Sequence, residues 1–279
     1  MVRPPKQTIF NIKGKLVEIH FPCVMGIVNL TPDSFFADSR TLDLGTIHQK
    51  IEQQLQEGAS IIDLGAASSK PGSAIISPEE EQQRLLPFLK TLQHQYNQVL
   101  FSIDTYHAAT AELAIQHGCS MINDISAGEI DAALPKVAIQ YSVPYILMHM
   151  QGKPENMQQN PLYDDVVQEV LMFLQNKIAQ FRQLGMHDII VDPGFGFGKS
   201  VEDNFALLRH LSQFALLDCP LLAGLSRKSM INKTLHVTAA DALNGTTVLN
   251  TLALQNGADI LRVHDVKEAY QAIHLLEKI

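Results

Sequence analysis

Glu57-Gly58-Ala59-Ser60-Ile61, His117-Gly118-Cys119-Ser120-Met121 and Asn256-Gly257-Ala258-Asp259-Ile260 are three copies of one junction. Each follows a stretch whose apolar residues recur every three or four positions, and each opens a short apolar run. A glycine at such a boundary accepts the left-handed backbone that ends a helix. The phrase therefore reads as helix, stop, strand, and Gly185 marks a fourth boundary of the same kind. Working outward, the apolar runs are Cys23–Val28, Ser60–Leu64, Val99–Ile103, Ser120–Ile122, Pro144–Met148, Asp188–Val191, Pro220–Leu225 and Ile260–Val263. Helical patterns lie between them over Leu44–Glu57, Pro78–His94, Ala108–His117, Asp131–Gln140, Asp164–Leu184, Asn204–Leu211, Ala239–Asn256 and Val266–Lys278. Near-continuous apolar strands belong to parallel sheets covered on both faces. Eight strand-then-helix units predict an α/β protein of the (β/α)8 TIM barrel type. A doubly wound open sheet is the alternative.

Ahead of these units, Thr8–Phe21 alternates around Lys13-Gly14-Lys15 and predicts a hairpin within an N-terminal segment, 1–22. Length alone suggests about two domains. Yet no linker, low-complexity tract or charge block divides the chain, so one domain over residues 1–279 is expected. A hydrophobic content of 46% excludes general disorder. The net charge of −8 argues against a nucleic-acid partner. It leaves an anionic small substrate open, because a few local cations can dominate one pocket. No run approaches the ~20 apolar residues of a membrane span, and the N-terminus lacks a signal-peptide pattern. A cytoplasmic protein is expected. Cys23, Cys119 and Cys219 form no CxxC pair and read as buried, reduced thiols.

A barrel of this type carries its chemistry at the C-terminal ends of its strands. Those ends hold Asn29, Asp63, Asp104, Asn123 with Asp124, His149, Asp192, Ser226-Arg227-Lys228, and Arg262 with His264. Any single Asp there, Asp63 included, can be read as a cap for the next helix. Capping does not account for Lys228, Arg262 and His264. Carboxylates come mainly from the earlier strands and cations from the last two, where barrels frequently bind phosphate. The pattern implies a ligand with a donor-rich part facing carboxylates and an anionic part facing cations. The segment Asp192-Pro193-Gly194-Phe195-Gly196-Phe197-Gly198-Lys199-Ser200 looks like a phosphate loop. It fails that motif, because Pro193 stands where its first glycine belongs, and reads instead as a tight barrel loop.

Several of these segments together resemble the dihydropteroate synthases, pterin-binding barrels of the folate pathway. The resemblance rests on Met25-Gly26-Ile27-Val28-Asn29-Leu30-Thr31-Pro32-Asp33-Ser34-Phe35, Asp63 to Gly72, Ser102-Ile103-Asp104-Thr105 and Ile122-Asn123-Asp124. It continues through Met148-His149-Met150-Gln151-Gly152, Asp192 to Phe197, Ser226-Arg227-Lys228-Ser229 and Arg262-Val263-His264-Asp265-Val266. It implies condensation of 6-hydroxymethyl-7,8-dihydropterin diphosphate with 4-aminobenzoate, giving 7,8-dihydropteroate and diphosphate.

By the same resemblance, Asp104, Asn123, Asp192 and Lys228 would hold the pterin, and Asn29, Arg262 and His264 the diphosphate. Asp104, Lys228, Arg262 and His264 form the implied catalytic set. Ser69, Pro71, Lys228 and Ser229 would line the 4-aminobenzoate site, its carboxylate near the start of a short helix after Lys228. Thr31, Asp33, Phe35, Ser68 and Lys70 would belong to a lid. Mg2+ is the implied cofactor, with Asn29 as its protein ligand. The partners are the two small substrates, without nucleic acid or membrane, in a homodimer. The sequence departs from the family in two places. Ala67 and Lys70 stand where the family carries a glutamate and an arginine, and Phe35–Arg40 lacks the usual glycine pair. Two other readings remain: a non-catalytic pterin-binding paralogue, and a methyltetrahydrofolate-dependent methyltransferase.

Overall fold

A computed structural model describes residues 6–30, 44–67, 73–157 and 161–279. Thr31, Asp33, Phe35, Ser68, Ser69, Lys70 and Pro71 lie outside the described residues.

The chain opens with an antiparallel hairpin, β1 (Lys6–Ile12) and β2 (Lys15–Phe21), in which Ile12 pairs with Lys15. Its turn residues Lys13 and Gly14 have φ of 54° and 82°, the left-handed pair that matches the twist of two flanking strands. Eight parallel strands follow: β3 (Cys23–Asn29), β4 (Ile61–Gly65), β5 (Leu100–Asp104), β6 (Met121–Asp124), β7 (Tyr145–Met148), β8 (Ile189–Asp192), β9 (Leu222–Ala223) and β10 (Ile260–Val263). Their spatial order is β8-β7-β6-β5-β4-β3-β10-β9, and a parallel bridge from Val191 to Leu221 joins the two ends. The sheet thus closes into the expected barrel. The ladder of β9 covers two residues of the expected Pro220–Leu225, and Pro220 has no N–H to donate.

Helices α1 (Leu44–Gln56), α2 (Pro78–Gln95), α3 (Ala108–Gln116), α4 (Leu134–Tyr141), α5 (Val166–Gln183), α6 (Val201–Arg209), α7 (Ser229–Leu235), α8 (Leu243–Gln255) and α9 (Val266–Leu276) alternate with the strands. The junction glycines Gly58, Gly118 and Gly257 all have φ between 94° and 124°, as the repeated phrase requires. Two boundaries differ from expectation for local reasons. Helix α4 starts three residues late, after a turn in which Asp131 Oδ1 accepts from the Ala133 N–H at 3.0 Å while its Oδ2 accepts from the N–H of Ala108, the first residue of α3, at 2.8 Å. Helix α6 starts three residues early, on a reciprocal capping box between Ser200 and Asp203.

Alternate residues of each strand face opposite sides of the sheet. Ile62, Leu64, Phe101, Ile122 and Leu147 pack outward under the helices. Inward, Met25, Ile61, Met121, Ile146, Ile190 and Ile260 pack with Phe10, Ile12, Ile19 and Phe21 of the hairpin, which plugs the barrel bottom. Two residues further along the strands, the same inward positions are Ile27, Asp63, Asn123, Met148, Asp192 and Arg262. The barrel is therefore apolar in its lower half and carries its ionisable groups in its upper half. All three cysteines are free and buried. Burial pushes the Cys23 and Cys119 thiols up to about 12, the behaviour of inert core thiols. No helix among the described residues is long and apolar enough to cross a membrane.

Candidate active site

The upper layer is organised by one guanidinium. Arg262 of β10 donates from Nε to Asp63 Oδ2 and from Nη2 to Asp104 Oδ2, each at 2.6 Å. Asp63 has no exposed surface, and it caps no helix. It also accepts from Asn123 Nδ2 at 3.0 Å. That bond fixes the Asn123 amide with Nδ2 toward Asp63 and leaves Oδ1 as an acceptor for the pocket. The segregation along the chain is bridged in space at one point, where Arg262 reaches past β3 to the carboxylates of β4 and β5. The physical reason is burial, since carboxylates inside a barrel need a partner. The remaining amino group of Arg262, Nη1, donates to nothing among the described residues.

Ionisation follows from this crowding. Burial raises Asp104 to about 7; Arg262 opposes the rise, but it is shared with Asp63. Burial pushes Asp192 up as well, against the opposing pull of Lys228. Burial lowers Lys228 to about 8, with Asp192 acting the other way. For Arg262, burial favours the neutral form, and Asp63 and Asp104 outweigh it, so it stays a cation. The His264 imidazole sits below its usual range, through desolvation and the nearby Arg262 and Lys50.

Lys228 precedes α7 and reaches over the loop after β8. Its ammonium donates to the Phe195 carbonyl and lies 4.7 Å from the centroid of the Phe197 ring. The loop that looks like a phosphate cradle is inside out. Its carbonyls, not its N–H groups, converge, and they converge on buried Lys199. Nζ of Lys199 donates to Gly194 O at 2.9 Å and Phe197 O at 3.0 Å, with His149 Nδ1 at 2.9 Å. A Cβ on Gly194 would stand 1.9 Å from the His149 carbonyl, which explains glycine there.

Arg227, next to Lys228, has φ of 54° and grips both carboxylate oxygens of Asp265, at 2.9 and 2.7 Å. Ser226 Oγ accepts from the His264 N–H at 3.2 Å. The loops carrying Lys228 and His264 are thus tied together. Ser229 is exposed at the start of α7. Asn29, at the top of β3, sits beside Gly65 and Asp104: a Cβ on Gly65 would lie 3.6 Å from both Asn29 Oδ1 and Asp104 Oδ2. Among the described residues no group of three His, Cys, Asp or Glu side chains forms a protein-only metal cage. The donor set at Asn29 fits a hard cation such as Mg2+ that takes one protein oxygen and completes its shell with phosphate oxygens and water.

The structure thus gathers Asn29, Asp104, Asn123, Asp192, Lys228, Ser229, Arg262 and His264 around one barrel mouth. Sequence reasoning counted Asp63 only among the strand-end acceptors, without its part in holding Arg262 and Asn123, and gave Lys199 no role. Asp63 had the signal of an acidic residue inside an apolar run, and Lys199 that of a lysine directly after a glycine-rich loop.

Residues 25–264 match the family described as pterin binding enzyme. Dihydropteroate synthase of Escherichia coli strain K12 is 39% identical over 95% of this chain and 94% of its own. The Yersinia pestis dihydropteroate synthase with a sulfonamide drug complex superposes with a TM-score of 0.90 at 37% identity, covering 97% of this chain and 98% of that one. The Xanthomonas albilineans enzyme with 4-aminobenzoic acid gives a TM-score of 0.89 at 35% identity, covering 98% of both chains. On a closed barrel with this polar mouth, such agreement places the chain in the pterin binding enzyme family, among the dihydropteroate synthases.

Proposed function

We propose that the barrel mouth joins 6-hydroxymethyl-7,8-dihydropterin diphosphate to 4-aminobenzoate and releases 7,8-dihydropteroate and diphosphate. The observation that supports this most is the division of labour at the mouth. Asn123 Oδ1, Asp192 and Asp104 present acceptors for the amino and ring N–H groups of a pterin, and Lys228 presents a donor for its ring oxygen and nitrogen acceptors. Arg262 Nη1, His264 and Asn29 stand beside them for the diphosphate.

The bond from the methylene carbon to the diphosphate oxygen breaks, and its electron pair leaves with the diphosphate. The amine lone pair of 4-aminobenzoate forms the new carbon–nitrogen bond, and the nitrogen then sheds a proton. Arg262 and His264 stabilise charge gathering on the leaving group. The carboxylates around the ring stabilise the positive charge left behind. An aromatic amine is already neutral at neutral pH, so no side chain need deprotonate it before attack. Mg2+, held through Asn29, supplies Lewis-acid stabilisation of the diphosphate when bound. Ser229 and the start of α7 receive the 4-aminobenzoate carboxylate.

The reading includes a cytoplasmic homodimer. Helix α8 contains no charged residue and exposes Val248 and Leu252, a face suited to a second copy. The test is turnover of purified protein with both substrates and Mg2+, with and without EDTA. Diphosphate release and pteroate formation in step are expected. Pterin binding without release of diphosphate would instead identify a non-catalytic binder.

A further inference from the structure

Lys199 is a buried cation that the reaction does not use, 2% exposed beneath the loop after β8. It has the partners of an ammonium: the Gly194, Phe197 and His149 carbonyls at 2.9, 3.0 and 3.3 Å, and His149 Nδ1 at 2.9 Å. An ammonium has three N–H donors, one more than a neutral amine, enough for the two close carbonyls and either the imidazole nitrogen or the longer His149 carbonyl. Burial and the Lys199 charge hold His149 far below its usual range, and in the tautomer protonated at Nε2 its Nδ1 accepts from Lys199. Burial lowers Lys199 to about 7, with Lys228 acting the same way and Asp192 and Asp203 opposing. The ring of acceptors around Nζ is what calls for the ammonium.

The same short loop faces Lys228 on its other side. The Gly194 and Phe197 carbonyls point down to Lys199, while the Phe195 carbonyl between them points to Lys228. The peptide that carries the Phe195 carbonyl is held from its other end, where the Gly196 N–H donates to Asn204 Oδ1 of α6 at 2.6 Å. Asn204 Nδ2 in turn donates to the Ser200 carbonyl at 2.6 Å. A lysine side chain has four flexible bonds and can point many ways. Here the carbonyl of Phe195 and the face of Phe197 give it one direction.

We propose that Lys199 is a positioning residue for the reaction. By gathering the Gly194 and Phe197 carbonyls on one side of the loop, it turns the Phe195 carbonyl and the Phe197 ring toward Lys228 and so aims the Lys228 ammonium at the pterin. The proposal rests on the reading that Lys228 contacts the pterin.

The test is a double-mutant cycle in steady-state kinetics on the full chain, using Lys199→Met and Lys228→Met. Losing one charged hydrogen bond to the pterin corresponds to about a tenfold or greater rise in KM. Lys199→Met is expected to raise KM for the pterin diphosphate by that order, and to change KM for 4-aminobenzoate no more than Lys228→Met does. In a Lys228→Met background it should add nothing further, because it acts through Lys228. If Lys199→Met does not fold, Asn204→Ala releases the same peptide from α6 and should show the same coupling. Additive losses in the cycle, or an unchanged pterin KM in Lys199→Met beside a raised one in Lys228→Met, overturn the proposal. Lys228→Met with wild-type KM overturns the pterin reading, and the proposal with it.

Discussion

Nε of Arg262 donates to Asp63 Oδ2 at 2.6 Å, linking the last barrel strand to the second across 199 residues of sequence. Asp63 is fully buried and Arg262 largely so, and the same carboxylate orients Asn123. Removing Asp63 leaves Arg262 its pair with Asp104 but strands Nε of Arg262 and the Asn123 amide. A lost hydrogen bond to a charged group costs about 1.5–3 kcal/mol. Asp63→Ala should lose stability by that amount in reversible urea unfolding, and should also weaken pterin binding through a freed Asn123. A loss no larger than that of an ordinary surface substitution would show that the pair is not held in the folded protein.

The pH dependence of kcat/KM for the pterin diphosphate should be bell-shaped. Asp104, raised to about 7 by burial, must be ionised to accept from the pterin, so activity rises as pH passes that value. Lys228, lowered to about 8 by burial, must be protonated to donate, so activity falls above it. The two limbs belong to coupled groups and report the site as a whole. Asp104→Asn should remove the acid limb, and Lys228→Arg should move the alkaline limb upward. A profile in which neither limb responds to these substitutions would refute the assignment.

Much of this site was legible because a barrel converts chain position into spatial position. Once the Glu57–Ile61 phrase fixed the strand starts, Asp104, Asn123, Asp192 and Arg262 fell at strand ends without further information. Asp63 was harder. Its context, Ile-Ile-Asp, matches the Ser-Ile-Asp of Asp104, and only the pairing of β4 with β5, which sets Asp63 beside Ser102 and Asp104 beside Gly65, tells the two apart. Lys199 was illegible for a different reason. Its partners are backbone carbonyls, which every residue has, so no side-chain pattern announces the cage.

His264 should be a neutral donor toward the diphosphate rather than a cation, since its pKa lies below the usual histidine range. In the free protein, its ring nitrogen chemical shifts should be those of a neutral imidazole at about pH 7. An imidazolium signal there would return His264 to the cationic role expected from its place beside Arg262.

Phe10 packs in the hairpin plug, at the opposite end of the barrel from the mouth. Phe10→Ala should cost about 3–5 kcal/mol in unfolding experiments. Both KM values should remain at wild type, because the apolar layer separates the plug from the ionisable one. A raised pterin KM without loss of stability would contradict that separation.

The hairpin also imposes an order on assembly. Its turn carries Lys13, whose N–H donates to the Ser142 carbonyl and whose Nζ donates to the Ile115 carbonyl. Its apolar face meets Leu222 and Ile260, residues from the final quarter of the chain. On a ribosome, the hairpin is therefore made long before the surface it covers exists. It must wait with Phe10 and Phe21 unburied until β9 and β10 have emerged. The hairpin, made before its cover, is sealed late, and until then its aromatic face is the kind of exposed apolar surface that makes partly folded chains aggregate.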